Sequence, residues 1–402
     1  MREANVRNAG TVRPHHQDDP GTDGGHDADG LQPDVSGNRR RALWPKLARL
    51  DGIVPAAGCT DETSGPLSRG RERASGAGSA DGGTVGTDGG SEPYRGLCLD
   101  RAVPQNGYAW WYVDALSGDG RQGITLIAFV GSVFSPYYAL ARRLGRGDPL
   151  NHCALNVALY GEGRKHWAMT ERRRPAVSRS ANEFVIGPSS VDWNGEALTF
   201  RIDELTTPFP SRLQGIVRVY PSALTKETFA LETTGRHRWH PIAPCSRVQV
   251  ELRKPAIRWL GEGYFDINYG NAPLEHDFRS WQWSRAGTRK GTVISYDAVA
   301  RQSGGASLAL RFDRSGMADH IEPLPRARLP STGWRIARTA RGDAQQPITV
   351  TRTLENAPFY ARSQLSAKLF GETADVMHES LSLDRFRSPI VQAMLPFRMP
   401  RR

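Results

Sequence analysis

The strongest constraint on this chain is a succession of short stretches, from about Leu97 onward, in which apolar and polar residues alternate. YAWWYVDAL (108–116), ITLIAFVGSVF (124–134), ALNVALY (154–160), LTFRIDEL (198–205), GIVRVYP (215–221) and RVQVELR (247–253) come first. TVISYDA (292–298), SLALRFDR (307–314), GWRIART (333–339) and ITVTRTL (348–354) follow. A two-residue period is that of a half-buried strand. The gaps are short and carry turn residues such as SGDG (117–120), which favours antiparallel sandwiches or barrels over a parallel sheet with crossover helices. Helix signals are few: PYYALARRLG (136–145) and DRFRSPIVQAML (384–395), the second interrupted by Pro389. The expected fold class is all-β.

The first 95 residues have a different texture. They hold 17 of the 42 glycines and two aromatic residues, Trp44 and Tyr94. Stretches such as TDGGHDADG bury too little apolar surface to offset the entropy of ordering, so residues 1–95 read as a disordered tail without a catalytic role. The strands then divide near RKPAI (253–257), which gives a first β domain over 96–254 and a second over 255–402. Charge divides in the same way. The tail carries 12 Lys/Arg against 14 Asp/Glu, and the remainder 41 against 28. The basic character therefore belongs to the folded part, and it favours anionic partners such as a membrane surface.

Several function classes are excluded by what is missing. No nucleotide-binding P-loop occurs, and GEGYFD and GEGRKH lack the third glycine of a dinucleotide loop. There is no H-E-x-x-H and no G-x-S-x-G. His237 and His240 sit three apart, so on a strand they would face opposite sides and would not share a metal. No nucleic-acid module is recognisable, so no nucleic-acid partner is expected. The four cysteines form no C-x-x-C pair and read as reduced thiols. No apolar run is long enough to span a bilayer, and the N-terminus lacks a secretory signal. A cytoplasmic protein that uses no cofactor and no metal is expected.

Two residue pairs stand out. GRHRWHPIAP (235–244) places His237 and Trp239 on one strand face, and GYFDINYG (263–270) places Tyr264 and Asp266 on another. One pair precedes the proposed division and the other follows it, so both can meet where two β units join, a favoured place for a ligand pocket. Asp114, Glu275 and Glu379 are rival acids.

Over these residues the chain resembles the carotenoid 1,2-hydratases, or hydroxyneurosporene synthases, of purple phototrophic bacteria. The resemblance runs through WWYVDALSGDGRQGITLIAFVGSVFSPYY (110–138), DPLNHCALNVALYG (148–161), WAMTER (167–172), PSRLQGIVRV (210–219) and GRHRWHPIAP. It continues through PLEHDFRSWQWSRA (273–286) and MHESLSLDRFRSPIVQAMLPFRMP (377–400), and it excludes the tail. It implies two tandem lipocalin-like antiparallel β-barrel domains. It also implies addition of water across the terminal C1–C2 double bond of an acyclic carotenoid such as neurosporene or lycopene. By motif the proton donor falls on Asp266, with His237, Trp239 and Tyr264 as its helpers.

The chemistry is consistent with those residue types. An alkene is a weak base, so water cannot add until a proton has been delivered. The donor must then be a carboxylic acid that keeps its proton near neutral pH, and burial beside aromatic rings pushes a carboxyl pKa that way. The resulting tertiary cation at C1 needs electron density that does not attack it, which an indole face supplies. A C40 polyene resides in the bilayer, so peripheral association with the inner membrane is expected, with Arg142, Arg143 and Arg146 beside Tyr137 and Tyr138 as the candidate contact. The competing reading from the residues is a non-catalytic, lipocalin-like carrier of a hydrophobic ligand.

Overall fold

The computed structural model describes residues 97–161, 165–302 and 304–402, which belong to one compact unit. The segment 1–95, and the expectation of disorder attached to it, lie outside the described residues. In chain order the first strands are β1 (Tyr108–Ser117), β2 (Gly123–Val130), β3 (Cys153–Tyr160), β4 (His166–Arg172), β5 (Val177–Ser180) and β6 (Glu183–Ile186). They are followed by β7 (Ser189–Trp193), β8 (Leu198–Leu205), β9 (Arg212–Pro221), β10 (Phe229–Ala230), β11 (His237–Lys254) and β12 (Ile257–Gly270). These strands form one antiparallel sheet in the order β4-β3-β2-β1-β12-β11-β9-β8-β7-β6-β5, with β10 added to β11. The sheet curls into a nearly closed barrel. Alternate residues fill its interior, among them Trp111, Val113, Leu126, Phe184, Phe200 and Val250.

A second antiparallel sheet is built from β13 (Phe278–Thr288), β14 (Gly291–Ala300), β15 (Ser307–Phe312) and β16 (Ala318–His320). After a two-stranded ribbon, β17 (Arg326–Arg328) and β18 (Thr339–Arg341), it is completed by β19 (Thr349–Asn356), β20 (Tyr360–Leu369) and β21 (Glu372–Ser382). Its order is β16-β15-β14-β13-β21-β20-β19. The fold is mostly β, with a nearly closed barrel and a second sheet, where the sequence leads to an all-β expectation.

The two large sheets share a core. Tyr108, Trp110 and Tyr112 alternate with the barrel-filling residues of β1 and face away from the barrel, as do Trp239 of β11 and Tyr264 of β12. They pack with Phe278, Trp281, Trp283, Tyr296 and Leu381 of the second sheet. This explains why YAWWYV is apolar without interruption: β1 is buried on both faces. The change of sheet falls between Gly270 and Phe278, because β12 pairs with β1 on one side and β11 on the other. The expected division at 254/255 falls between β11 and β12, neighbours in the same sheet.

β11 is not one regular strand. Pro241 and Pro244 have no N–H to donate, and the pairing with β12 shifts register between His240 and Ala243 and again between Ala243 and Ser246. The C-terminal half pairs with β9, whereas the N-terminal half pairs with β10 instead. Bulges of this kind re-aim side chains, and here the re-aimed end carries His237 and Trp239.

The predicted helices form as α1 (Pro136–Arg143), capped by Ser135, and as α3 (Leu383–Phe386) and α4 (Pro389–Met394), separated where Pro389 starts a new helix. A short α2 (Leu274–Asp277) joins the two sheets. One predicted strand does not form. GWRIART is a turn followed by irregular chain, with Arg335 in the left-handed region at φ 55°, and only Thr339 enters a strand. Cys153 and Cys245 are free thiols, whereas Cys98 is disulfide-bonded, so the expectation of reduced thiols does not hold for it.

Candidate active site

The two-residue period of β12 places Tyr264, Asp266 and Asn268 on the face turned toward the second sheet. Trp239 on β11 lies opposite Asn268, and its indole reaches diagonally across the pair. Trp239 Nε1 donates to Asp266 Oδ2 at 2.8 Å and to Tyr264 Oη at 3.0 Å. Tyr264 Oη itself donates to the same Oδ2 at 2.6 Å. The other carboxyl oxygen, Oδ1, receives only a long contact of 3.3 Å from Asn268 Nδ2. The carboxyl group is buried, 3% exposed.

Burial is the main influence on Asp266 and pushes its pKa up to about 7. The donors Tyr264 and Trp239 oppose the shift, the nearby charge of Glu379 adds to it, and Asn268 opposes it weakly. All three donors are neutral groups. The surroundings are aromatic: Trp239 stacks on Tyr296 with centroids 5.4 Å apart and planes 13° apart. Tyr264 lies 5.3 Å from Trp283, and Tyr112 lies 5.6 Å from the same indole. A carboxylic acid in this setting can hold a proton near neutrality and hand it to an apolar ligand.

The rival acids are in different environments. Asp114 receives Arg285 at 2.7 and 3.0 Å and Arg362 on its other oxygen. Glu379 is bound by Arg362 and by Tyr112 Oη at 2.8 Å. Glu275 is paired with Arg142 at 2.6 Å. Each is held by a guanidinium, and Asp266 is not.

His237 is buried two residues from Trp239 but does not join this cluster. Its Nδ1 lies 2.9 Å from Tyr108 Oη, and its Nε2 lies 2.7 Å from Asp277 Oδ2. Burial lowers its pKa, and Asp277 works against that. Asp277 is held in turn by Arg236 at 2.6 Å. Tyr108 and His237 flank Gly270, their common partner in the sheet. A Cβ at Gly270 would meet His237 Nδ1 at 2.8 Å and Tyr108 Cε1 at 2.9 Å, so the contact requires glycine there. The structure thus brings Trp239, Tyr264 and Asp266 together and sets His237 in a neighbouring Tyr108–His237–Asp277 chain.

Sequence reading singled out neither Tyr108 and Asp277 nor Arg362, which bridges Asp114 and Glu379. Tyr108 was visible only as part of a strand, and Arg362 gave no local signal. Of the proposed basic contact, Arg142 is ion-paired and Tyr138 is buried, with its hydroxyl donating to Gly107 O at 2.6 Å. Arg143 and Arg146 are exposed.

A nearly closed barrel backed by a second sheet, with a buried acid among aromatic rings between the two, defines a β protein equipped for acid chemistry on an apolar ligand. The same fold occurs in the crystal structure of an AttH protein from Nitrosomonas europaea, with a TM-score of 0.51 and 14% identity over 71% of this chain and 95% of that one. The chain belongs to the carotenoid hydratase CrtC family, whose profile matches residues 126–402. It is 52% identical to the acyclic carotenoid 1,2-hydratase of Thiocapsa roseopersicina, over 100% of this chain and 99% of that protein. It is 47% identical to the one of Rubrivivax gelatinosus over the full length of both. The acyclic carotenoid 1,2-hydratase of Cereibacter sphaeroides is 39% identical, with 98% of its length matched by 69% of this chain.

Proposed function

We propose that the chain hydrates the terminal C1–C2 double bond of an acyclic carotenoid and that Asp266 is the proton donor. Family membership carries the hydratase activity. The observation that carries the assignment of the acid is the contrast in partners: Asp266 is buried among neutral donors with a pKa near 7, while Asp114, Glu275 and Glu379 are bound by arginine.

With Oδ2 engaged by Tyr264 and Trp239, the transferable proton sits on Oδ1. Its transfer to C2 leaves a tertiary cation at C1. The aromatic rings around Asp266 stabilise that cation, at about 2 kcal/mol or more for a desolvated contact. The new carboxylate is stabilised by the two donors on Oδ2. Water adds at C1, and the proton it releases restores Asp266, so the product is a tertiary alcohol and the acid is regenerated. Asn268 Oδ1 is buried without a hydrogen-bond partner, an acceptor suited to orient that water. His237, fixed by Tyr108 and Asp277, serves the site by holding β11 and with it Trp239.

For the architecture, we propose two lipocalin-like β units in tandem. The sheet topology favours a division after Gly270 over one at 254/255. The substrate is insoluble in water, and no helix among the described residues is long and apolar enough to cross a membrane. Peripheral contact with a membrane surface is the corresponding mode of delivery.

The test is incubation with lycopene or neurosporene in heavy water. Hydration adds the elements of one water, one of whose hydrogens is a non-exchangeable deuterium at C2, and Asp266→Asn is inactive. Binding without any mass gain would instead make the protein a carrier. Full activity of the Asn variant would remove Asp266 from the role given to it.

A further inference from the structure

An apolar, basic surface lies at one end of the space between the sheets. Ile390 and Phe397, in α4 and the turn after it, are 74% and 80% exposed, and Phe209 is 71% exposed. Phe209 belongs to the turn 206–211, which is tied to the C-terminal segment by Thr207 Oγ1 donating to Arg398 O at 2.6 Å. Leu140 and Leu144 of α1 and its cap are exposed as well. Tyr137 of α1 carries the Arg401 guanidinium 5.7 Å from its ring centre. The segments 133–147 and 387–402 contain seven arginines and no Asp or Glu, and of the seven Arg142 and Arg401 are ion-paired with Glu275 and Glu171. Exposed apolar side chains rimmed by cations, on a face with little negative charge, fit an anionic lipid surface. Two acids border this face, and both are paired: Asp148 with Arg174 at 2.9 Å and Asp384 with Arg301 at 2.6 Å.

From this surface a row of aromatic rings leads inward. Phe386 of α3 is 5.9 Å from Phe134, and Phe134 is 6.4 Å from Trp110. Trp110 is 6.5 Å from Trp281, which is 6.2 Å from Tyr296. Tyr296 stacks on Trp239, whose indole donates to Asp266. A polyene is rigid, narrow and polarisable along its length; the rings of this row are buried, Phe134 in part, and packed against one another, so its passage requires them to part.

We propose that the face made by α1, α4 and the 206–211 turn docks on an anionic bilayer, and that the row from Phe386 to Trp239 is the route by which the end of the polyene reaches Asp266. This rests on the hydratase reading for the identity of the substrate, and on the surface alone for the docking.

The docking test is flotation with phosphatidylcholine–phosphatidylglycerol vesicles against phosphatidylcholine alone. The parent protein floats with the anionic vesicles. The double variant Ile390→Asp with Phe397→Asp, and separately Arg143→Glu with Arg146→Glu, lose affinity by about tenfold or more. Hydration of vesicle-dissolved carotenoid falls by a similar factor, and hydration of detergent-dispersed carotenoid falls much less. A tryptophan introduced by Ile390→Trp is quenched by lipids brominated on the acyl chain. For the route, Phe134→Trp raises KM more than it lowers kcat and leaves flotation unchanged. Unbound parent protein, affinity unmoved by both double variants, or a dimer dissolved by the same changes would each overturn the docking. An unchanged KM in Phe134→Trp would overturn the route. Absence of hydration in detergent as well as in vesicles would instead strike the hydratase reading and leave the flotation result standing.

Discussion

Trp239 Nε1 stands 2.8 Å from Asp266 Oδ2 although the two residues lie 27 apart on different strands. The contact is diagonal, because the strand partner of Trp239 is Asn268 and that of Asp266, on the other side, is Tyr112. The indole therefore does two things from one position. Its N–H fixes one carboxyl oxygen, and its face lies against Tyr296. Substitutions can separate these roles. Trp239→Phe keeps a ring face and removes the N–H, whereas Trp239→Leu removes both. Turnover is expected to fall in both variants and to be about tenfold or more lower in Leu than in Phe, in line with the energy of a desolvated cation–π contact. Equal losses in steady-state assays would show that the face contributes nothing.

The activity should depend on pH through Asp266. The donor must be protonated, so kcat falls as pH rises through about 7. The charge of Glu379 helps to hold that pKa up. Glu379→Gln removes the charge, so the descending limb moves to lower pH. A pH–rate profile of the two proteins measures the displacement, and a limb that stays in place would remove Glu379 from this role.

The same group affects stability, and the sign is opposite to that of an ordinary salt-bridged acid. Its folded pKa lies above its unfolded value of about 4. The native state retains a proton that the unfolded chain releases, so the protein loses stability as pH rises from about 4 to 7. Asp266→Asn carries no charge. It should denature at higher urea than the parent above pH 7, and the gap should close toward pH 4.

Arg362 is fully buried and bound to Asp114, Glu379 and the Tyr112 hydroxyl. Its removal leaves two carboxylates underpaired in a core. Arg362→Ala is expected to lose about 3–5 kcal/mol in denaturant titrations. A loss below about 1 kcal/mol would show that water or Arg285 takes over its place.

Residues 1–95 should be dispensable for catalysis. The Cereibacter sphaeroides relative is matched over 98% of its length by 69% of this chain. A protein shortened to begin near residue 96 is expected to hydrate lycopene within about twofold of the full chain, measured by product chromatography. Inactivity of a folded, shortened protein would assign the tail a function.

Much of the site could be read from local pattern. The two-residue period put Tyr264 beside Asp266 and His237 beside Trp239, and Pro389 separated the two C-terminal helices. Partnership between distant strands could not be read. β12 looks the same whether it starts a second unit or closes the first. The bond from Arg362 to Asp114 spans 248 residues and depends on how two sheets stack. The irregular chain at GWRIART misled for a related reason: alternation is necessary for a strand, but Arg335 adopts a left-handed conformation there that interrupts it. The bulge at Pro241 and Pro244 was visible as proline, but its effect on the aim of His237 was not.

The absent side chain at Gly270 has a mechanical consequence. Tyr108 and His237 clasp one another over the notch it leaves, so two strands are riveted across a third beside the short helix α2. Any breathing that admits a long, stiff guest must then leave this joint closed, and α2 with it, because Asp277 of that helix holds the same imidazole.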